Sequence, residues 1–326
     1  MAFTLDELAQ LSEAAVLGDG RYSVFHCGEV DAAAPGVLVY LNAVQQLDAC
    51  VGAGAAVLAA IAMTLPTRKV RPVTGLECDN PRVLYHVLSR LLTAHDDLSG
   101  DVSGAAIASS ASVHSSALIA AGCVVQQGAQ VEAHAVLFPG VVVERDAVVG
   151  AGCVVRSNAV ICRGAVLGSL CEIGSGTVIG AEPQQFVAGE GVWTRHADRT
   201  RVRLGKRVVI GANTVVECGA RRETIVESDV LIGGQVYISH DCHIEQGVLI
   251  IGQSGLASGV HIGPGAALMA RVAVDGDVHI NAGAVVLAGS GVTKDVPPGA
   301  RVWGIPARSR IDGWRKVSRR ANRRDP

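Results

Sequence analysis

A parallel β-helix is the fold this sequence predicts, because an aliphatic residue returns at every sixth position, glycine follows many of those residues, and aromatics make up only 3% of the chain. The beat starts at Ile107, Val113 and Ile119 and runs unbroken to Ile173 and Ile179. It resumes at Leu204, Ile210 and Val216, slips by four residues, and continues from Val226 through Ile238 and Ile262 to Val292. A period of six fits neither a 3.6-residue helix nor an ordinary strand of period two; it is the signature of hexapeptide coils. Three hexapeptides make one triangular coil, so each aliphatic side chain fills the prism axis beneath its counterpart one coil later. β-Branched residues suit flat stacked strands, and Gly168, Gly174, Gly180, Gly211, Gly233 and Gly263 stand where a side chain would crowd the backbone.

Length and charge bound the rest. A chain of 326 residues holds one long array and one ordinary domain. We expect a small α/β domain over 1–98 that selects a ligand or caps the coils, a β-helix over 99–300 with an excursion at 181–203, and a basic C-terminal extension over 301–326. A formal charge of -2 gives no global case for nucleic-acid binding. The nine cysteines are odd in number and scattered, which predicts reduced structural thiols in a cytoplasmic protein. The start MAFTLDELAQL lacks a secretory signal, and no window reads as a transmembrane segment; the apolar run Val51 to Leu65 reads as a buried strand and turn.

The first domain lacks the six-residue beat. Thr4 caps a short helix with Leu5, Leu8 and Leu11 on one face and Glu7 three positions after the cap. Strands are predicted over Tyr22 to Cys27, Val37 to Leu41 and Ala56 to Ala60, and a helix over Pro81 to Thr93 opens with proline after Asn80. Ala94 to Gly100 read as a linker. His114 and His134, near the turns of the first repeats, read as surface histidines, and the cysteines around Cys162 lack zinc-finger spacing, so no metal is implied.

At Ala181 the repeat gives way to AEPQQFVAGEGVWTRHADRTRV, an excursion of the kind that builds a binding loop on a rigid frame. Phe186 and Trp193 either cover an acyl chain or sugar ring or form the loop's own small core. A shorter interruption, Glu217 to Ile225, contains Arg221 and Arg222.

The segment GGQVYISHDCHIEQG holds the strongest candidate for chemistry. His240 follows the inward Ile238 by two positions, which places it at a corner of the prism, and an imidazole with a pKa near neutrality can take a proton from an attacking amine or hydroxyl. Asp241 or another carboxylate can orient the ring; a solvent histidine packed against a neighbouring subunit is the plain alternative.

Several phrases resemble the UDP-3-O-acylglucosamine N-acyltransferase family of lipid A biosynthesis, within the hexapeptide-repeat acyltransferases. LDELAQL with VLGDG and PGVLVYL is similar to its uridine-binding N-terminal domain, VIGAEPQQF to its VIGADGFGF pattern, VVIGANTVVECGARRETIV and GQVYISHDCHI to its central repeats, and GIPA with WRK to its closing sequence. The resemblance implies a left-handed β-helix, a homotrimer, a nucleotide-linked amino sugar as acceptor, and a hydroxyacyl group arriving on the phosphopantetheine of an acyl-carrier protein or on CoA, with no tightly bound cofactor. It puts His240 on the catalytic histidine of the QIAH pattern, with Asp241 beside it. It places nucleotide contacts at Tyr40 and Asn42 and looks for an oxyanion donor among Gly255 to Gly259; Phe186, Gly255, Gly259 and Asp277 are also expected on the substrate, and His243, near the same edge, either assists binding or is an ordinary outward-facing residue. Departures are evident as well. The second aromatic of the expected uracil sandwich is missing from VYLNAVQQL, a second family histidine falls at Asp277, and small residues occupy the acyl-measuring stretch near Leu287 to Thr293. The ending GSGVTKDVPPGARVWGIPARSR is also similar to acetyl-CoA-dependent acetyltransferases, which makes a short-acyl-CoA enzyme the main alternative and a trimeric scaffold the non-enzyme one. From Arg301 onward nine Lys/Arg face two Asp, a tail that steers an acidic carrier or CoA or is simply solvated.

Overall fold

The computed structural model describes residues 2–60, 63, 73–98, 104–189, 191–195 and 199–309. The chain divides into two compact units, Met1–Val102 and Ser103–Pro326. In the second, each hexapeptide contributes a two-residue strand followed by a turn, and strands eighteen residues apart pair in parallel, as Val124 with Val142 and Ile161 with Ile179. Three sheets result. Face 1 runs from Ala106–Ile107 to Gly291–Val292, face 2 from Ser112–Val113 to His279–Ile280, and face 3 from Leu118–Ile119 to Arg301–Trp303 and Arg308–Ser309.

The second residue of each strand points inward. From Ile119 to Val292 the aliphatics on the beat are buried, whereas Ile107 is 47% exposed and Val113 partly so. These two belong to the terminal strands of their sheets, with a coil on one side only. Glycine after the inward residue answers to coil spacing: a Cβ on Gly211 would lie 2.5 Å from the Gly234 nitrogen of the next coil. The left-handed turn positions are filled by glycine or by residues such as Asn158, Asn213, Asp229 and Asp241, since Asn and Asp tolerate that conformation better than most side chains. Arg301–Trp303 pairs with Val285 and Val286, so face 3 continues past residue 300; residues 310–326, including the WRK phrase, lie outside the described residues.

In the first unit, Thr4 caps helix α1 (Leu5–Ser12) with the reciprocal Glu7 contact that its sequence predicts. A five-stranded sheet is ordered Ala15–Leu17, Gly75–Cys78, Ala56–Ala60, Val37–Tyr40, His26–Gly28, with the first pair antiparallel and the others parallel. Helix α2 (Leu47–Ala53) packs Leu47 and Cys50 with Val37, Val39 and Val57. Three expectations shift. Tyr22 to Cys27 is broken into Ser23–Val24 and His26–Gly28, because the Phe25 N–H leaves the ladder for the Gly36 carbonyl. Helix α3 runs Pro81–Asp97, absorbing most of the expected linker, since Leu88, Leu91, Leu92 and Ala94 continue its buried face. The apolar run Val51 to Leu65 opens as the last residues of helix α2 before the buried strand Ala56–Ala60, and its residues 61, 62, 64 and 65 lie outside the described residues.

Inward and outward residues of one strand should respond differently to truncation. Ile161→Ala should destabilise the chain by about 2 to 5 kcal/mol through transfer loss and a cavity, whereas Val160→Ala on the same strand should cost well under half of that. Chemical denaturation of both variants checks the contrast, and equal losses would refute the axial packing.

Candidate functional site

His240 and Asp241 form the turn between Tyr237–Ile238 on face 1 and His243–Ile244 on face 2. Asp241 adopts φ of 63°, the left-handed turn conformation, and its Oδ2 lies 3.2 Å from His240 Nδ1. With Nδ1 held by the carboxylate, Nε2 is the nitrogen left to act; it makes no hydrogen bond among the described residues. The His240 side chain is only 9% exposed and lines a recess of about 210 Å3 with Arg221, Arg222, Asp241, Ser258, Gly259 and Asp277.

The shorter interruption organises this corner. Asp241 Oδ1 accepts the backbone N–H groups of Ala220, Arg221 and Arg222 at 2.8, 3.1 and 3.1 Å, and the Asp241 N–H donates to Thr224 Oγ1 at 3.0 Å. Burial by itself pushes the Asp241 carboxyl up, but the donated hydrogen bonds from Arg222, Ala220, His240 and Arg221 outweigh it and hold the group below its ordinary value. Gly219 makes the loop possible: a Cβ there would fall 1.6 Å from the Arg222 carbonyl oxygen. Arg222 closes the corner through Nε to the Asp241 carbonyl at 3.1 Å and Nη2 to the Gly259 carbonyl at 3.4 Å.

A second carboxylate lies beneath, and sequence reading missed it. Glu217 is fully buried; its Oε2 accepts the His240 N–H and the Ser239 hydroxyl, both at 2.8 Å, and its Oε1 accepts the Gln184 N–H at 2.9 Å and the Tyr237 hydroxyl. Burial, reinforced by the Glu217 hydrogen bond and charge, pushes the Tyr237 phenol far up. Glu217 thus joins the excursion to the backbone of His240. A lone Glu opening an irregular segment carried no periodic signal, and its partners come from segments 20 to 33 residues away.

The remaining expected residues separate. Asp277 and Gly259 share the His240 recess. His243 is on the adjacent face, with Nε2 2.9 Å from Glu227. The N–H groups of Gly255 and Gly259 are engaged by the Val272 and His240 carbonyls at 2.8 and 3.0 Å, so coil stacking already uses both donors. The excursion folds as a hairpin of Phe186–Gly189 and Val192–Arg195, with Phe186 60% and Trp193 72% exposed. Their exposure overturns the reading of a small loop core. In the first unit, Tyr40 is half-buried, Asn42 is exposed with its N–H on Gln46, and Tyr85 of α3 lies 6.1 Å from Tyr40, an aromatic neighbour from outside the expected motif. All nine cysteines are free, and no group of three His, Cys, Asp or Glu among the described residues is placed to hold a metal ion. No described helix is long and apolar enough to cross a membrane.

The prism and its corner define the class by fold alone: a left-handed hexapeptide β-helix. Its fold is shared with the Arabidopsis UDP-N-acetylglucosamine acyltransferase, at a TM-score of 0.59 and 21% identity over 67% of this chain and 76% of that one. The UDP-N-acetylglucosamine O-acyltransferase of Moraxella catarrhalis RH4 shares it at a TM-score of 0.51 and 24% identity over 66% and 76%. In sequence, a segment of the chain is similar to proteins named UDP-3-O-acylglucosamine N-acyltransferase. Identity is 37% to the protein of Herminiimonas arsenicoxydans and 38% to that of Janthinobacterium sp. (strain Marseille), each over 65 residues, 20% of this chain and 19% of theirs. The match therefore spans about a fifth of the length of these relatives. No family model matches the chain.

The depressed Asp241 pKa carries a pH dependence. A carboxyl held lower in the folded state contributes stability that is complete above its unfolded pKa, about 3.9, and is lost as pH falls through the folded value. Denaturation curves between pH 5 and 2 should show the wild type losing stability more steeply than Asp241→Asn below about pH 4; parallel curves would remove the depressed carboxyl from this account.

Proposed function

We propose that this protein is an N-acyltransferase that moves an acyl group from a phosphopantetheine thioester to the amine of a nucleotide-linked amino sugar, with a UDP-3-O-acylglucosamine of lipid A biosynthesis as the lead acceptor. The observation that carries this reading is the His240–Asp241 pair at 3.2 Å, with Nε2 free on a polar recess. His240 Nε2 takes the proton of the amine as nitrogen attacks the thioester carbonyl, while Asp241 holds Nδ1–H and favours the imidazolium that forms. Collapse of the tetrahedral intermediate forms the amide C–N bond and breaks the C–S bond; the departing thiolate takes the proton from His240. Because the Gly255 and Gly259 N–H groups are engaged, the guanidinium of Arg221 in the recess, which has no partner among the described residues, is our assigned donor to the developing oxyanion. Tyr40, with Tyr85 beside it and Asn42 two residues on, supports a nucleobase contact in the first unit. The thioester chemistry is the same whether an acyl-carrier protein or CoA brings the arm, and the cytoplasm supplies either.

Assembly as a homotrimer belongs to the same reading. Val160, Val178 and Val215 point outward from face 1, and Leu231, Leu249 and Val285 from face 3, whereas Arg203, His243 and His279 occupy face 2. Two largely apolar faces and a mixed face 2, where Val148, Val166 and Ile225 share the outward column with Arg203 and the histidines, suit a closed threefold arrangement on a triangular prism. Light scattering should return three times the chain mass; a stable monomer at assay concentration would count against a shared groove.

His240→Ala and His240→Gln should lower single-turnover acyl transfer on the order of 10^2 to 10^4 while leaving folding and assembly intact, because the axial core is untouched. Donor and acceptor are screened first. Near wild-type transfer by either variant would reject His240 as the base.

A further inference from the structure

The corner that carries His240 extends toward the N-terminal coils, where three arginines converge on a second recess unused by the chemistry above. Arg163, Arg199 and Arg201, with Asp146, Gly164 and Thr200, line a hollow of about 330 Å3. Asp146 and Arg163 sit in the turns from face 1 to face 2 of successive coils, and Thr200 and Arg201 reach the same corner where the excursion returns to the prism.

Hydrogen bonding sorts these cations into two kinds. Arg199 is tied down, with Nη2 donating to the Arg163 carbonyl at 3.3 Å and Nη1 3.8 Å from Glu182. The guanidinium groups of Arg163 and Arg201 make no hydrogen bond or ion pair among the described residues. Neighbouring donors are spent: the Arg163 N–H on Glu144 at 2.9 Å, the Gly164 N–H on Arg145 at 3.0 Å, and the Thr200 hydroxyl on the Arg222 carbonyl at 2.8 Å. Asp146 is the one carboxylate among the lining residues, which leaves a formal excess of two positive charges. Like charges gathered in a hollow repel one another, and an anion between them reverses the sign of that interaction. The planar fork of guanidinium matches phosphate oxygens in pairs.

We infer that this recess is a phosphate-binding site, built on the free guanidinium groups of Arg163 and Arg201, for the phosphate or diphosphate of a substrate whose reacting end lies at His240. Val202–Leu204, directly after Arg201, is stacked two coils from His243–Ile244, directly after the His240 turn. At the usual strand spacing Arg201 is therefore roughly 10 Å, and Arg163 one coil further at roughly 14 Å, from His240 along the axis. Both reactants of the proposed transfer carry phosphate, so the identity of the substrate rests on that reading, while the anion site itself does not.

Inorganic pyrophosphate titrated calorimetrically into the full chain at low salt tests the site without turnover. Arg163→Gln combined with Arg201→Gln should weaken binding by about tenfold or more, and Asp146→Asn should tighten it severalfold. Arg271→Gln removes the same charge at another corner, where Arg271 bonds Gln253 at 2.7 Å, and should change nothing. Circular dichroism and light scattering establish that each variant keeps the wild-type fold and mass. Undiminished binding by the double variant, no gain with Asp146→Asn, or an equal loss with Arg271→Gln overturns the site. Displacement of pyrophosphate by UDP assigns the recess to the sugar nucleotide, and displacement by CoA assigns it to the thioester donor; displacement by neither, with the variant pattern intact, supports the anion site and removes both reactants as its occupant. Failure of the His240 test leaves this binding result standing, and loss of the anion site leaves the His240 chemistry standing.

Discussion

Everything in the second unit depends on coils stacking at one fixed register. Parallel pairing of residues eighteen apart, as Val142 with Val160, sets the rise and leaves each coil one inward side chain per face. That spacing selects for short aliphatics on the axis and for glycine where adjacent backbones meet, as at Gly211 against Gly234. It also consumes backbone donors coil after coil, and this restricts chemistry. A main-chain N–H such as that of Gly259 is already committed to the His240 carbonyl, so polar function at this corner comes from side chains and from segments that leave the register.

Two segments leave it, both between face 1 and face 2, in the two successive coils that precede the coil of His240. The excursion sends the Gln184 N–H to Glu217; the shorter loop sends three N–H groups to Asp241. Each irregular segment thus has donors that no neighbouring coil uses, and two buried carboxylates collect them. Those carboxylates grip opposite parts of the same histidine, Glu217 through the backbone N–H and Asp241 through Nδ1. The ring is fixed from two sides while Nε2 stays free, which is the geometry a proton acceptor requires.

The prism was legible because its signal is redundant: dozens of aliphatic positions repeat one spacing, and a slip of one residue would turn them all outward. The corner position of His240 was legible through its two-residue offset from the inward Ile238. The first unit was less so, since its strands Ala15–Leu17 and Gly75–Cys78 and its helix Leu47–Ala53 have no repeat to amplify them. Glu217 and the Arg163–Arg201 recess were illegible for a different reason. Their partners are brought together by whole coils plus an insertion, and the contact between Arg199 and Arg163 spans 36 residues that no local pattern connects.

The outward residues set the His240 corner apart from the other two. Face 2 carries a column of imidazoles, His243, His261 and His279, with His243 and His261 stacked at 5.1 Å and paired to Glu227 and Glu245. Each pair satisfies its own polar groups and remains hydrated, so this face has little to gain from being covered. Face 1 has the opposite character, with Val160, Val178 and Val215 in a row. His240 stands on the edge where the two meet. A partner surface that covers an apolar face while leaving a polar one in water must end along such an edge, and there a side chain can be dry enough to strengthen a proton transfer yet open enough to admit a substrate. The corner between faces 3 and 1 lies between two apolar surfaces and the corner between faces 2 and 3 lacks both insertions, so neither combines that edge with the carboxylates that orient an imidazole.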